Sequence, residues 1–310
     1  MHLGHIYNLP IDKKGIYYDV FHNFSGVIMQ RIISYDTVVE QVAALCGKAA
    51  CDLPADVKKV LFSAKERETT AMAKDFFDQY QENSKIAEST RLPLCQDTGF
   101  AVYFIELGCD VKLDRSNIYS AVNEGTRKGY GEFFLRKSIV SDPLFDRKNT
   151  RDNTPAIIHL KLVAGDKIKI VLAPKGGGSE NMSAVKMLKP SDGRQGVVDF
   201  VVNSVVNAGG NPCPPTVVGV GIGGTMEMAA ILAKTALLRE LGKPAGDERY
   251  AELEREILEK INASGVGPQG LGGNVTSLAV HILHHPCHLA SLPVAVNLNC
   301  HAARHAEVTI

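Results

Sequence analysis

The run N-P-C-P-P at Asn211–Pro215 constrains this chain more tightly than any other segment. Proline fixes φ, has no N–H for a helix or a ladder, and biases the residue before it towards extended backbone. Three prolines around one cysteine therefore forbid regular structure on either side of Cys213 and put its thiol on a stiff loop. Two more cysteines sit at loop-like junctions. Cys95 follows Pro93 and opens C-Q-D-T-G; Cys300 ends the apolar run L-P-V-A-V-N-L-N-C and precedes H-A-A-R-H. Rigid loops suit metal ligands, because thiolates are pre-positioned while nearby N–H groups stay free to bond sulfur. The plainer reading is three buried thiols.

Seven cysteines in all are an odd and scattered set. Cys46, Cys51 and Cys109 lie on helical or strand patterns and read as structural, and Cys287 in H-H-P-C-H-L reads as a filler. No charged start followed by an apolar core and cleavage site is present, and no apolar run is long enough to span a bilayer. These features predict a cytoplasmic protein, where reduced cysteines serve as ligands, catalysts or fillers. The 34 basic and 34 acidic residues balance to a net charge of +0 without a basic tract, so neither nucleic acid nor membrane is an expected partner. A small-molecule enzyme or a partner-bound subunit fits better.

Periodicity predicts a mixed α/β (α+β) fold: an N-terminal helical bundle packed on a layered mixed-sheet domain. Residues 1–28 show no period and read as a non-native or disordered extension, leaving 29–310 as the folded domain. Asp36 is placed to cap a helix carrying Val39, Val42, Ala43 and Cys46 on one side. From Leu53 to Glu88 the stripes Val57, Val60, Leu61, Ala64 and Met72, Phe76, Tyr80 continue the bundle. Strands are expected at Ala101–Leu107, Ala156–Val163, Lys167–Ala173, Thr216–Val220 and Leu292–Val296, the second and third joined by the turn Gly165–Asp166. Helices are expected at Val197–Val206, Met226–Leu241 and Glu252–Ile261. No internal repeat is visible.

Five motifs in order resemble the alpha region of class I fumarases and tartrate dehydratases. They are C-Q-D-T-G at Cys95–Gly99, P-K-G-G-G-S-E-N at Pro174–Asn181, N-P-C-P-P, G-P-Q-G-L-G-G at Gly267–Gly273, and L-P-V-A-V-N-L-N-C-H-A-A-R-H at Leu292–His305. The resemblance runs from Met29 to the C-terminus. It implies that Cys95, Cys213 and Cys300 ligate a 4Fe–4S cluster. Three protein ligands for four irons leave one iron open, and open coordination suits a substrate-binding metal rather than an electron carrier. The resemblance also implies that Gln96 and Asp97 meet the substrate, Asp97 managing a proton, and that Arg136 clamps a carboxylate with its planar fork. It further implies that Gly176, Ser179 and Asn181 offer a bare-backbone loop to the diacid and that His288 stands near the active site; Arg304 would support the cluster loop. Each has a plainer reading: Asp97 as a turn residue, the glycines as a tight turn, Arg136 as a surface charge, and His288 as an ordinary histidine beside His284 and His285.

The resemblance implies reversible hydration of fumarate to (S)-malate, with L(+)-tartrate dehydration as the alternative. Motifs of the second half of single-chain relatives are missing, which predicts a separate beta subunit and a higher oligomer. Two other classes compete. Gly219–Gly224, G-V-G-I-G-G, matches the dinucleotide fingerprint between a strand and a helix, although no βαβ series is evident around it. A zinc-binding Cys/His interaction protein is the non-enzymatic alternative.

Overall fold

Two four-stranded sheets with the same internal wiring frame the molecule. The computed structural model describes residues 30–310, so the expected extension at 1–28 lies outside the described residues. In chain order the elements are β1 (Arg31–Ile33), α1 (Tyr35–Cys51), α2 (Ala55–Ser63), α3 (Ala71–Thr90), β2 (Phe100–Gly108), β3 (Val111–Leu113), α4 (Ile118–Glu132), β4 (Ile157–Val163), β5 (Ile168–Lys175), α5 (Gly177–Glu180), β6 (Ala184–Leu188), α6 (Gly193–Ala208), β7 (Thr216–Gly223), α7 (Met226–Ala236), α8 (Glu248–Asn262), β8 (Ser277–His285), β9 (Leu292–Asn299) and β10 (Ala306–Thr309). This is the expected mixed α/β class, helices at the N-terminal end included.

The first sheet has the order β10-β5-β2-β4 and the second β6-β9-β7-β8. In each, a strand, a helical crossover and a parallel strand are followed by a strand that returns antiparallel beside the first: β2, β4, β5 in one and β7, β8, β9 in the other. The parallel pairs need such crossovers because no short turn can join parallel neighbours. The chain then exchanges edges. After β5 it crosses to add β6 beside β9, and after β9 it crosses back to add β10 beside β5. β4 and β5 are consecutive in the chain and joined through Gly165–Asp166, as expected, and β2 lies between them in the sheet.

Packing explains the elements that periodicity misreads. Helix α4 carries Gly125 and Gly129, poor helix residues in isolation. A Cβ at Gly125 would lie 2.6 Å from that of Val42, and one at Gly129 would lie 2.7 Å from that of Cys46, so these glycines let α4 lie close on α1. Together α1 and α4 cover the face of the first sheet that buries Tyr103, Ile105, Ile168, Ile170 and Leu172. Helices α6 and α8 cover one face of the second sheet through Val198, Val201, Ile257 and Ile261, and α2 with α3 packs Leu61 and Phe77 against Val217, Leu278 and Ala302.

The run G-V-G-I-G-G is a packing device. Strand β7 extends through it to Gly223, further than the expected Val220. A Cβ on Gly219 would stand 2.0 Å from the carbonyl oxygen of Ala233, and one on Gly221 would stand 2.0 Å from that of Ala229. The bare strand lets α7 rest directly on β7. β7, α7, α8 and β8 do form a βαβ unit, contrary to expectation, yet two of the three fingerprint glycines are buried mid-strand under a helix rather than free to approach a pyrophosphate.

Candidate functional site

Equivalent corners of the two sheets meet around the three cysteines. Cys95 precedes β2 as Cys213 precedes β7; the loop after β5 starts at Gly176 as the loop after β9 starts at Cys300. Cross-links tie these four segments together. Asp97 accepts the N–H of Gly99 at Oδ1 (3.1 Å) and that of Gly177 at Oδ2 (2.8 Å), and its carbonyl accepts from the Arg304 guanidinium. The N–H of His301 donates to the Cys213 carbonyl at 3.2 Å. Partial burial pushes the Cys213 thiol up and the neighbouring Cys300 and Cys95 push it further. At Cys300 burial again raises the thiol, with the Arg304 charge opposing.

These three thiols do not close around one ion: among the described residues no group of three Cys, His, Asp or Glu side chains could hold a single metal ion. The surroundings do fit a larger anionic group bound through sulfur. Arg304 is 3% exposed, and its Nε and Nη1 have no partner. A buried guanidinium with free donors is costly unless an anion meets it. Cys287 is no fourth member. It lies on an exposed turn beyond β8, where its thiol donates to the Ser291 carbonyl at 3.3 Å, so it is not a buried filler either.

Beside the cysteines is a cleft of about 200 Å³ lined by Asp97, Phe100, Arg136, Ser138, Ile139, Lys175 and Gly177. Arg136 is exposed and anchored through its carbonyl, which accepts from the Thr98 hydroxyl at 3.1 Å. Lys175, inside a quoted motif but not singled out from sequence, ends β5 at 5% exposure. Its ammonium donates to Ser179 Oγ at 2.6 Å and lies 3.4 Å from Glu180. Burial brings it down to about 8, against the opposing pull of Glu180. Glu180 also takes Lys234 at 2.8 Å on each oxygen and Asn297 at 2.9 Å. Ser179 is therefore buried as the partner of Lys175, while Asn181 is exposed at the end of α5. Gln96 is exposed and accepts from the Cys95 thiol at 3.4 Å. A Cβ on Gly176 would come 3.4 Å from Asp97 Oδ2, so little room separates that glycine from the carboxylate.

His288 is not brought to this site within one chain. It sits on the exposed turn before β9, its Nδ1 accepting the Ala290 N–H at 3.2 Å. The eight residues of β9 separate that turn from Cys300, roughly 25 Å at the rise of an extended strand. Twelve positions of sequence are here one full sheet length. A larger cavity, about 620 Å³, lies between α7 and the first sheet, lined by Phe104, His159, Val171, Met228 and Ile231 among others. None of the cysteines lines it, and none of Asp97, Arg136 and Lys175 does.

Sequence reasoning missed the residues that hold Cys213 in place. Cys213 has φ +55°, a left-handed conformation unusual for a side chain with a Cβ. Tyr80 stacks on His301 with ring centroids 4.1 Å apart, and its hydroxyl donates to the Pro214 carbonyl at 3.2 Å. Tyr80 is visible in sequence only as part of a helical stripe.

A family model described as fumarate hydratase (Fumerase) matches residues 39–309. A Methanocaldococcus jannaschii protein with the provisional name L(+)-tartrate dehydratase subunit alpha is 46% identical over 277 residues, 87% of this chain and 95% of its own. The L(+)-tartrate dehydratase subunit alpha of Escherichia coli UTI89 is 35% identical over 285 residues, 88% of this chain and 92% of its own; that of strain K12 is 34% identical over the same span. The chain belongs to the fumarate hydratase (Fumerase) family of hydro-lyases.

Proposed function

We propose that this chain is the cluster-binding alpha subunit of a two-subunit hydro-lyase acting on a four-carbon dicarboxylate, fumarate and (S)-malate in the first reading. Residues 29–310 form its cluster-binding domain, with Cys95, Cys213 and Cys300 as ligands of a 4Fe–4S cluster. The observation that carries this is the meeting of three cysteine loops beside a buried Arg304 with two unpartnered nitrogens. Bound there, the cluster would supply a Lewis-acidic iron for the departing hydroxyl.

The chain's own residues bind and orient. Arg136 and Lys175 give the cleft two cations for a carboxylate, and Gly177 adds no side chain to its wall. Electrostatic groups of this kind contribute roughly 2–4 kcal/mol each to a barrier. Asp97 accepts a backbone N–H on each carboxylate oxygen, which supports positioning as its main part. His288 stands a sheet length away. Both facts support a partner: the beta subunit supplies the proton acceptor, and relatives of nearly the same length are named as alpha subunits. Assembly into a higher oligomer belongs to the same reading. No helix of the described residues is long and apolar enough to cross a membrane, and a reducing cytoplasmic setting suits free thiols.

L(+)-tartrate is the second reading, favoured by the names of the relatives. Tartrate carries an extra hydroxyl, and a site built for it leaves a buried polar group unpaired with malate, so the preference should be large. Anaerobic reconstitution with iron and sulfide, the beta subunit co-produced, decides both points through kcat/KM on malate, fumarate and tartrate. A colourless complex inactive on all three would sink the proposal.

A further inference from the structure

We propose that Tyr80 is a positioning residue for the Cys213 ligand loop, acting through the Pro214 carbonyl and the ring of His301. The inference rests on the cluster reading above and adds a residue from the N-terminal helices to that site. The loop has few donors of its own, since Pro212, Pro214 and Pro215 have no N–H. Its carbonyls are consequently what the rest of the protein can grip. The Pro214 carbonyl accepts from the Tyr80 hydroxyl at 3.2 Å and from the Gln269 N–H at 3.0 Å. The Cys213 carbonyl accepts from the His301 N–H at 3.2 Å and from His301 Nδ1 at 3.0 Å. A carbonyl can only accept, so Nδ1 carries the proton and the tautomer is fixed.

Tyr80 joins the two grips. Its ring lies on His301 at 4.1 Å and 21° between planes, and its hydroxyl accepts the Gln269 side-chain amide at 2.7 Å. Gln269 in turn belongs to the glycine-rich loop that Glu68 ties down by accepting the N–H groups of Asn274 and Val275. Helix α3 thereby helps to fix the left-handed Cys213 from 133 positions away in sequence, and the two carbonyls that follow its Cα, those of Cys213 and Pro214, cannot turn without breaking these bonds. Ligand positions held in this way set how long a metal group stays bound.

The test uses the full chain with its beta subunit, loaded anaerobically, comparing wild type with Tyr80→Phe and Tyr250→Phe. Tyr250 makes a similar stack on His284, 4.2 Å between centroids, with no link to Cys213. Iron release to a ferrous chelator is followed by loss of visible absorption, and the melting temperature of the cluster-free protein is measured beside it. Tyr80→Phe should release iron roughly 10–100-fold faster than wild type, the usual consequence of losing an outer support. Tyr250→Phe should match wild type, and the melting temperatures should stay close together. Equal release from wild type and Tyr80→Phe overturns the assignment, as does a fast release accompanied by a large fall in melting temperature. A wild type that takes up no iron overturns the cluster reading itself, and the assignment with it.

Discussion

Asp97 and Gly177, 80 positions apart, are joined by a 2.8 Å hydrogen bond from the glycine N–H to the Asp97 carboxylate. That bond ties the segment entering β2 to the segment leaving β5, the two sides of the cleft. With the 3.1 Å bond from Gly99 it engages both carboxylate oxygens. Asp97→Asn should therefore damage the site although it keeps the side chain's shape. An amide offers one acceptor and turns an NH₂ towards a second N–H, leaving two donors face to face. The expected cost is about 1–3 kcal/mol of stability and a fall in kcat/KM, measured by urea unfolding and by malate turnover. Unchanged values in both would show that the bracket is dispensable.

Lys175 supplies a pH dependence. Burial brings its ammonium down to about 8, so it loses charge as pH rises through that value. The charged form is the one that attracts a carboxylate, and dicarboxylate binding should weaken above about pH 8, with KM rising up to roughly tenfold per pH unit for one required proton. Lys175→Met should have a high KM already at neutral pH and a flat profile through this window. A Lys175→Met enzyme that retained the wild-type profile would assign the titration to another group.

Gly219 tests why the glycine-rich strand exists. Alanine there brings a methyl carbon onto the Ala233 carbonyl oxygen, and overpacking of this kind costs about 1–3 kcal/mol. Gly219→Ala should thus melt at lower temperature whether or not any nucleotide is present. Nicotinamide dinucleotides should not shift the wild-type melting temperature, since a ligand protects only what it binds. Protection by a micromolar dinucleotide would revive the oxidoreductase reading.

The same strand shows how far sequence carries here. Helices α1, α3, α6 and α8 were legible because apolar stripes at helical spacing face a single core. Helix α4 was not, since Gly125 and Gly129 argue against a helix until Val42 and Cys46 are seen pressed against them. Strand β8 was missed because polar residues interrupt it: His281 is buried there, with Nδ1 donating to the Ala236 carbonyl at 3.2 Å. The exchange of β6 and β10 between sheets is a long-range choice that no window of sequence contains. In the candidate site, the quoted motifs supplied the cysteines and Asp97, and the family resemblance supplied Arg136. Lys175 was not singled out, because its burial is visible only once β5 is packed, and Tyr80 read as part of a helical stripe, because Pro214, Gln269 and His301 lie far away in sequence.

Cys287 and Cys213 make the sharpest contrast, because both are exposed cysteines in proline-bearing segments. Cys213 stands at the end of β7 where Cys300 and Cys95 add their influence to its thiol. Cys287 follows β8 at the other end of the same sheet, bonded to Ser291. Serine is a far weaker ligand for iron than thiolate, which is the form that binds soft metal groups. Replacing Cys95, Cys213 or Cys300 by serine should therefore abolish visible absorption and turnover together, while the Cys287→Ser complex keeps both. Iron content measured per complex separates a failure to load from a failure to turn over. If Cys287→Ser also lost its iron, the ligand set would have to be drawn from the opposite end of the sheet, where His284, His285 and His288 are its neighbours.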